Sequence, residues 1–566
     1  MRPHILKPLL CLTLVFAAPL VQAEEDAIGR AMHDEMLRSM QKLKFEQFDK
    51  PYFISYLVVD NESKEVAATL GSVLSSTENN TRSLMVIVRV GDYALDSGNF
   101  MSMPSGPEGF ASLMTAGILQ LPLDDNYNEL RRKIWLTTDR AYKRAIEDLA
   151  AKRAVLQGKN RTEEIADFSK TPPLSTVDLA ARAELDLPKA TRLVREISAV
   201  FRQTPSIQTS RVQLQMLNHQ ERYLNSEGGS FTQRLPRVSL RITASAQAPD
   251  GMPLTDFVAN YAYFLKDLPS TADLLTRARE LQTELGQLQA APIQDRYEGP
   301  VLFEGQAAVE VFARHFAGGL AALPPVVSGN DQLAQAFRQQ SNGMLDKVGL
   351  RVLPSFMDVV DDATAVREKE NLLFGSYKVD QEGVASRRTI LVEHGVLKTL
   401  LTSRAPVRGI PASTGNMREL GVAPSNLFVS ADQTSTQEEL RKRLVESAKA
   451  QGDSYGIAVR RLSGKTATVA YRIYADGHEE LVRNADVSEL TSASFKNISA
   501  VSDQRIVYSE AAPFKTSPLN LNLAAGIQPL VSYVVPSMLF ADVTIEKPSG
   551  ESPKPTVIAS PLTEKP

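Results

Sequence analysis

Up to Pro292, apolar positions recur either every three or four residues or every two, and the two periods alternate along the chain. Ile28, Met32, Met36, Met40 and Leu43 form one stripe, which predicts a helix that Asp26 could cap. Such a methionine stripe reads as core packing rather than a promiscuous groove. Pro51 leads into an apolar strand, Tyr52 to Val59, and Leu84 to Val90 is another. The small and apolar residues from Glu65 to Ser75 suit a third, so the chain opens as a helix and an antiparallel meander. Asn126 to Leu156 carries the longest helical signal, with Leu130, Ile134, Ala141, Ala145 and Leu149 on one side and Trp135 read as a packing residue. Pro188 to Phe201 predicts a shorter helix. From Val212 to Ala244 the period becomes two around Asn225-Ser226-Glu227-Gly228-Gly229, a hairpin. Ser270-Thr271-Ala272-Asp273 resembles a capping box and opens a helix that Pro292 closes.

The second half is patterned differently. Short strand-like runs punctuated by glycine dominate: Arg388 to Glu393, Val396 to Thr402, Ile457 to Val459, Thr466 to Tyr474. Two helices stand out, Gln306 to Ala322 and Gln437 to Ala450, the latter after a possible capping box at Ser435-Thr436-Gln437-Glu438. The fold class is therefore α+β, with an α/β unit over residues 24–295 and a β-rich unit over residues 296–547. Residues 548–566 contain Pro548, Pro553, Pro555, Pro561 and Pro566 and read as a disordered tail.

Composition narrows the function classes. The 566 residues include one cysteine, Cys11, and six histidines, which excludes disulfides within the chain and Cys-based zinc knuckles. Residues 1–23 read as a signal peptide: Arg2 and Lys7, then the apolar run Leu9 to Val21, then Val21-Gln22-Ala23 as a cleavage site. The run is too short for a membrane span and contains Pro19. Leu10 stands where a lipoprotein needs a small residue before Cys11. The expected location is a periplasm or the cell exterior. Losing Arg2 and Lys7 takes the formal charge from −3 to −5. The basic clusters are scattered, and nothing argues for nucleic-acid binding.

Three segments carry a resemblance. The first is Glu298-Gly299-Pro300-Val301-Leu302-Phe303-Glu304-Gly305-Gln306-Ala307-Ala308. The second holds Leu373-Phe374-Gly375-Ser376-Tyr377, Asp380-Gln381-Glu382-Gly383-Val384 and the run from Arg388 to Lys398. The third pairs Ser413-Thr414-Gly415-Asn416 with Ala423-Pro424-Ser425-Asn426-Leu427, and Arg222 to Gly228 is an earlier echo. Together they resemble the TldD/PmbA family, also described as TldD/TldE proteases or modulators of DNA gyrase. The resemblance implies an α/β N-terminal domain on a β-rich C-terminal domain. It also implies homo- or heterodimers that enclose a cavity for extended peptides. One partner type carries a metal and cleaves peptides; the PmbA/TldE-like type has no metal site.

The resemblance also implies where zinc would sit. In the catalytic type, the helix after the Ala-Ala pair carries His-Glu-x-x-x-His, and a later cysteine completes three protein ligands. Here the motif positions hold Ala313, Arg314 and Gly318. Cys11 would leave with the leader. His315 and Glu310 are five positions apart on one helix, about 140° around it, and do not converge. His394 and His478 read as turn residues, and no G-x-S-x-G supports a serine hydrolase. The resulting expectation is a chain with no cofactor and no catalytic residues of its own, closer to the metal-less type. It would be the peptide-binding partner of a TldD-like homologue. Phe374, Gly375, Tyr377, Ser413, Thr414, Gly415 and Asn416 are candidate peptide or partner contacts, weighed against plain turn and core roles. The rival readings are an active zinc peptidase of the same family and a non-enzymatic envelope-assembly protein.

Overall fold

The computed structural model describes residues 26–158 apart from 46 and 102–117. It also describes residues 165–547 apart from 420, 464, 465, 484, 512–514 and 517–528, and scattered positions beyond 551. The expected leader with Cys11 and most of the expected tail lie outside the described residues.

Helix α1 (Ala27–Lys42) starts at Asp26, whose carboxylate accepts from the Gly29 N–H. It buries Ile28, Met32 and Met36 against the core that α2 (Tyr127–Gln157) also faces. Strands β1 (Pro51–Thr69) and β2 (Ser72–Val90) form one long hairpin. No third strand lies between them: Glu65 to Thr69 finish β1, and Ser72 to Ser75 open β2. The reversal falls at Leu70 and Gly71, both with positive φ. The strands run on because β1 also pairs along its length with β5 (Ile207–Asn225), from Ser55 opposite Asn225 to Ala68 opposite Val212. Such pairing satisfies the backbone of the polar middle stretch that periodicity alone reads as a break. Trp135 is 43% exposed on α2 with the Arg38 guanidinium over its ring, so it is not the packing residue expected from the sequence. The α2 stripe turns Leu130, Ile134, Ala145 and Leu149 inward and leaves position 135 on the solvent side.

The other strands of this sheet are β3 (Ile118–Gln120), β4 (Ser175–Leu179), β6 (Ser230–Gln247) and β7 (Pro253–Ala262). Their order is β3-β2-β1-β5-β6-β4, with β7 also on β6. Helices α3 (Leu187–Ala199) and α4 (Thr271–Ala290) share a core with β5, β6 and β7.

A second sheet is built from β8 (Tyr297–Phe303), β9 (Met357–Asp362), β10 (Arg388–Glu393), β11 (Asn426–Ala431), β12 (Tyr455–Ser463), β13 (Thr466–Tyr474), β14 (Ala485–Ser488), β15 (Ile498–Ala511) and β16 (Leu530–Glu546). Its path runs β10-β9-β11-β16-β14-β13-β12-β8, and β8 pairs back onto β16, so five strands close on themselves. Helix α5 (Gln306–His315) packs into the resulting core, with every residue from Ala307 to Ala313 buried. A helix apolar on nearly all sides is built to be enclosed. It ends at His315, short of Ala322, and Ala317–Leu320 continue as a 3₁₀ turn. Val396 to Thr402 yields only a two-residue strand, Val396–Leu397. Helix α6 (Asp331–Ser341) was not anticipated, and α7 (Gln437–Gln451) was.

Candidate functional site

Helix α5 and the turn after it carry the positions at which the resemblance places the metal motif. Ala313 is buried in the core, Arg314 is exposed, and Gly318 lies in the following 3₁₀ turn. None of the three offers a ligand, since a guanidinium is always protonated. These residues do not fit a zinc ion. His315 is half-buried, with its imidazole pKa pushed down by burial and by Arg314. It belongs to no cluster of three potential metal ligands among the described residues.

What α5 does present is an acid. Glu310 is buried; its Oε1 accepts from Gln306 Nε2 at 2.7 Å and its Oε2 from the Leu462 N–H at 2.6 Å. Burial raises its pKa to about 8 against the lowering effect of these bonds, and Glu510 and Asp256 add to the rise. Burial likewise lifts Glu510 to about 7, with Arg314 pulling it back. The Tyr508 hydroxyl receives the second contact of Gln306 Nε2, at 3.2 Å.

A groove of about 670 Å³ runs past this point. Its walls include Phe257 to Tyr261 of β7, Gln306 of α5, Phe374 and Tyr508, so both sheets contribute. Strand β7 pairs only with β6 among the described strands, leaving its other edge on the groove side. Phe374 packs against Tyr261 and Tyr263, with centroids 6.0 and 5.0 Å apart.

The second and third segments that carry the resemblance are bonded to each other. Asn426 Oδ1 accepts from the Gly375 N–H at 2.9 Å, and the Tyr377 hydroxyl donates to Gly415 O at 2.6 Å. Asn416 Nδ2 and Ser425 Oγ donate to Asp361 Oδ2 at 2.9 and 2.7 Å. Burial still pushes Asp361 up to about 6. Thr414 Oγ1 donates to Thr402 O and accepts from the Thr402 N–H. Ser413, Thr414 and Asn416 are thus buried, their polar groups bonded to the chain itself. Of the seven candidate contacts, Phe374 and Tyr377 line cavities. Gly375 and residues 413–416 line neither of these cavities.

A smaller cavity of about 90 Å³ lies where the two units meet, lined by His219, Glu221 and Arg237 of the first and by Tyr377, Gln381 and Glu419 of the second. Together these residues form no recognisable motif in the sequence. The available signal was His219 and Glu221, two apart on a strand and therefore on one face. Nothing local pointed to Glu419.

Residues 296–547 match the model of the PmbA/TldA metallopeptidase C-terminal domain. A stretch of 118 residues is 37% identical to a metalloprotease of Methanocaldococcus jannaschii, covering 20% of this chain and 25% of that one. The match therefore spans a quarter of that relative's length. The fold is similar to TldE from Thermococcus kodakarensis, with TM-score 0.55 and 15% identity over 91% of this chain and 100% of that one. It is also similar to a candidate modulator of a DNA gyrase from Thermotoga maritima, with TM-score 0.55 and 14% identity over 87% and 96%.

Proposed function

Because residues 296–547 form a C-terminal domain of the PmbA/TldD family, we propose that this chain is a TldE-like, non-catalytic subunit that binds extended peptide beside a TldD-like homologue. It would act in the periplasm or outside the cell, once the signal peptide is cleaved near Ala23. The observation that carries the reading is the end of α5 and the turn after it: the positions the resemblance assigns to the metal motif hold Ala313, Arg314 and Gly318, none of which has a ligating side chain. The groove supports the peptide part. An extended chain laid along the free edge of β7 would find main-chain hydrogen bonds, with aromatic walls from Phe257, Tyr261 and Phe374 for its side chains. The buried acid Glu310 beside it belongs to no cluster of three potential metal ligands among the described residues.

The test is a pull-down of the tagged mature protein from the native envelope, with every co-purifying protein identified. Recovery of a homologue carrying His-Glu-x-x-x-His is the expected result. Recovery of envelope-assembly factors without such a homologue would favour the structural reading. Chelator-sensitive peptide cleavage by the purified chain alone, with zinc lost on His315→Ala, would establish the active-peptidase reading instead.

A further inference from the structure

We infer that the seam between the two units binds one zinc-like divalent cation through His219, Glu221 and Glu419. The site is separate from α5 and does not depend on the subunit reading. His219 Nε2 lies 3.3 Å from Glu221 Oε1 and 3.5 Å from Glu419 Oε1. The three ligand atoms all fall within 4.8 Å of one another. Zinc bonds of about 2.0–2.1 Å at tetrahedral angles separate neighbouring ligand atoms by about 3.3–3.4 Å, which is the spacing seen around Nε2.

The second observation is the imidazole itself. His219 is 4% exposed, and its Nε2 is buried with no hydrogen-bond partner. A buried polar nitrogen left unmatched calls for a reason. Its other nitrogen is engaged: Nδ1 lies 2.7 Å from Asn61 Oδ1, directly across the β1–β5 pairing. An Nδ1–H donated there leaves the Nε2 lone pair facing the two carboxylates, the outer-shell arrangement that orients metal-binding histidines. Glu221 is held similarly, by Gln233 from the neighbouring strand and by Gln381 from the second unit. Glu419 comes from the second unit, at a positive-φ turn position. One imidazole and two carboxylates suit zinc better than magnesium or calcium, which take oxygen ligands. Two glutamates balance the charge of a dication. Of the nearby cations, Arg418 is occupied by the carbonyls of Pro424 and Leu530, and Arg237 lines the same cavity. All three ligands line that cavity, so a fourth coordination position opens into it.

The competing occupant is a proton, which would make His219 an imidazolium between two carboxylates. The purified mature chain is loaded with zinc, desalted and assayed by metal mass spectrometry. About one equivalent per chain is expected. His219→Gln and Glu419→Gln should each lower it about tenfold or more, with His315→Ala leaving it unchanged. Asn61→Ala should weaken affinity roughly 10–100-fold. Chelator should lower the melting temperature of the native chain and leave that of Glu419→Gln unmoved. Circular dichroism confirms that each variant is folded. Less than about a tenth of an equivalent in the native chain, or full retention in both folded ligand variants, would overturn the site.

Discussion

Single residues here are constrained mostly by what surrounds them. A Cβ on Gly375 would lie 1.9 Å from the Ser425 carbonyl oxygen and 2.7 Å from Asn426 Oδ1. Backbone cannot yield as a flexible side chain can, so Gly375→Ala should destabilise the chain by about 1–3 kcal/mol, read as a lowered unfolding midpoint in urea. Lys152 is buried on α2 and donates to Asp167 Oδ2 at 2.6 Å and to the Asp96 carbonyl at 3.1 Å. Lys152→Met removes a charge and leaves Asp167 buried without it, a loss of about 3–5 kcal/mol measurable in the same titration. Glu310 makes a pH prediction. Its folded pKa, about 8, lies above the ordinary carboxyl value of 4.5, so between those values the native state holds more protons than the unfolded one. Stability from this group is complete below the unfolded pKa and is lost as pH rises through 8. Burial places Glu510, at about 7, and Asp380, at about 7, on the same side. Melting temperature should therefore fall from pH 5 to 8, and Glu310→Gln should flatten that slope; an unchanged slope would refute the assignment.

Elements were legible where local chemistry decides them. The caps at Asp26 and Ser270 and the hairpin turn at Asn225 to Gly229 stand as the sequence suggests. The capping box of α7 is shifted by one residue, with Thr436 and Glu439 as its partners. Thr436 Oγ1 accepts from the Glu439 N–H at 3.2 Å, and Glu439 Oε2 accepts from the Thr436 N–H at 2.8 Å. Thr436→Ala should cost about 1 kcal/mol, seen as a lowered melting temperature, and Thr436→Ser should restore most of it. Elements that depend on distant partners were read less well. β1 and β2 outrun their apolar cores because β5 pairs along β1. α6 lies in a mostly polar stretch, with Leu333 and Phe337 as its large apolar residues. The run Val396 to Thr402 looks like a strand by composition, yet only Val396 and Leu397 pair in a ladder with β10.

At the scale of the molecule, charged residues carry much of the seam between the units. Arg404 is fully buried. It donates to Ser169 O at 2.9 and 2.7 Å, stands 2.7 Å from Glu227 Oε2, and lies over Phe168 with its guanidinium carbon 4.1 Å from the ring centre. Arg461 of β12 reaches Asp256 of β7 and Glu284 of α4, the latter at 2.6 Å. A buried guanidinium with this many partners is costly to remove. Arg404→Met should loosen the seam, splitting thermal unfolding into two transitions and exposing the 165–170 segment to protease. One cooperative transition at the native temperature would argue against that role.

Local patterning of the chain was enough to set the alternation of helices and strands in the first unit and the β-rich character of the second. The sequence also put Ala313 and Arg314, whose side chains cannot ligate whatever the fold, where the resemblance expects metal ligands. These are local or compositional properties. Only tertiary packing decided that the Gly375 N–H and the polar side chains of Ser413, Thr414 and Asn416 bond to the chain itself. It also brought Glu419 to His219 and Glu221. Burial and proximity between residues far apart in the chain depend on how sheets close and units dock, and no local pattern encodes them.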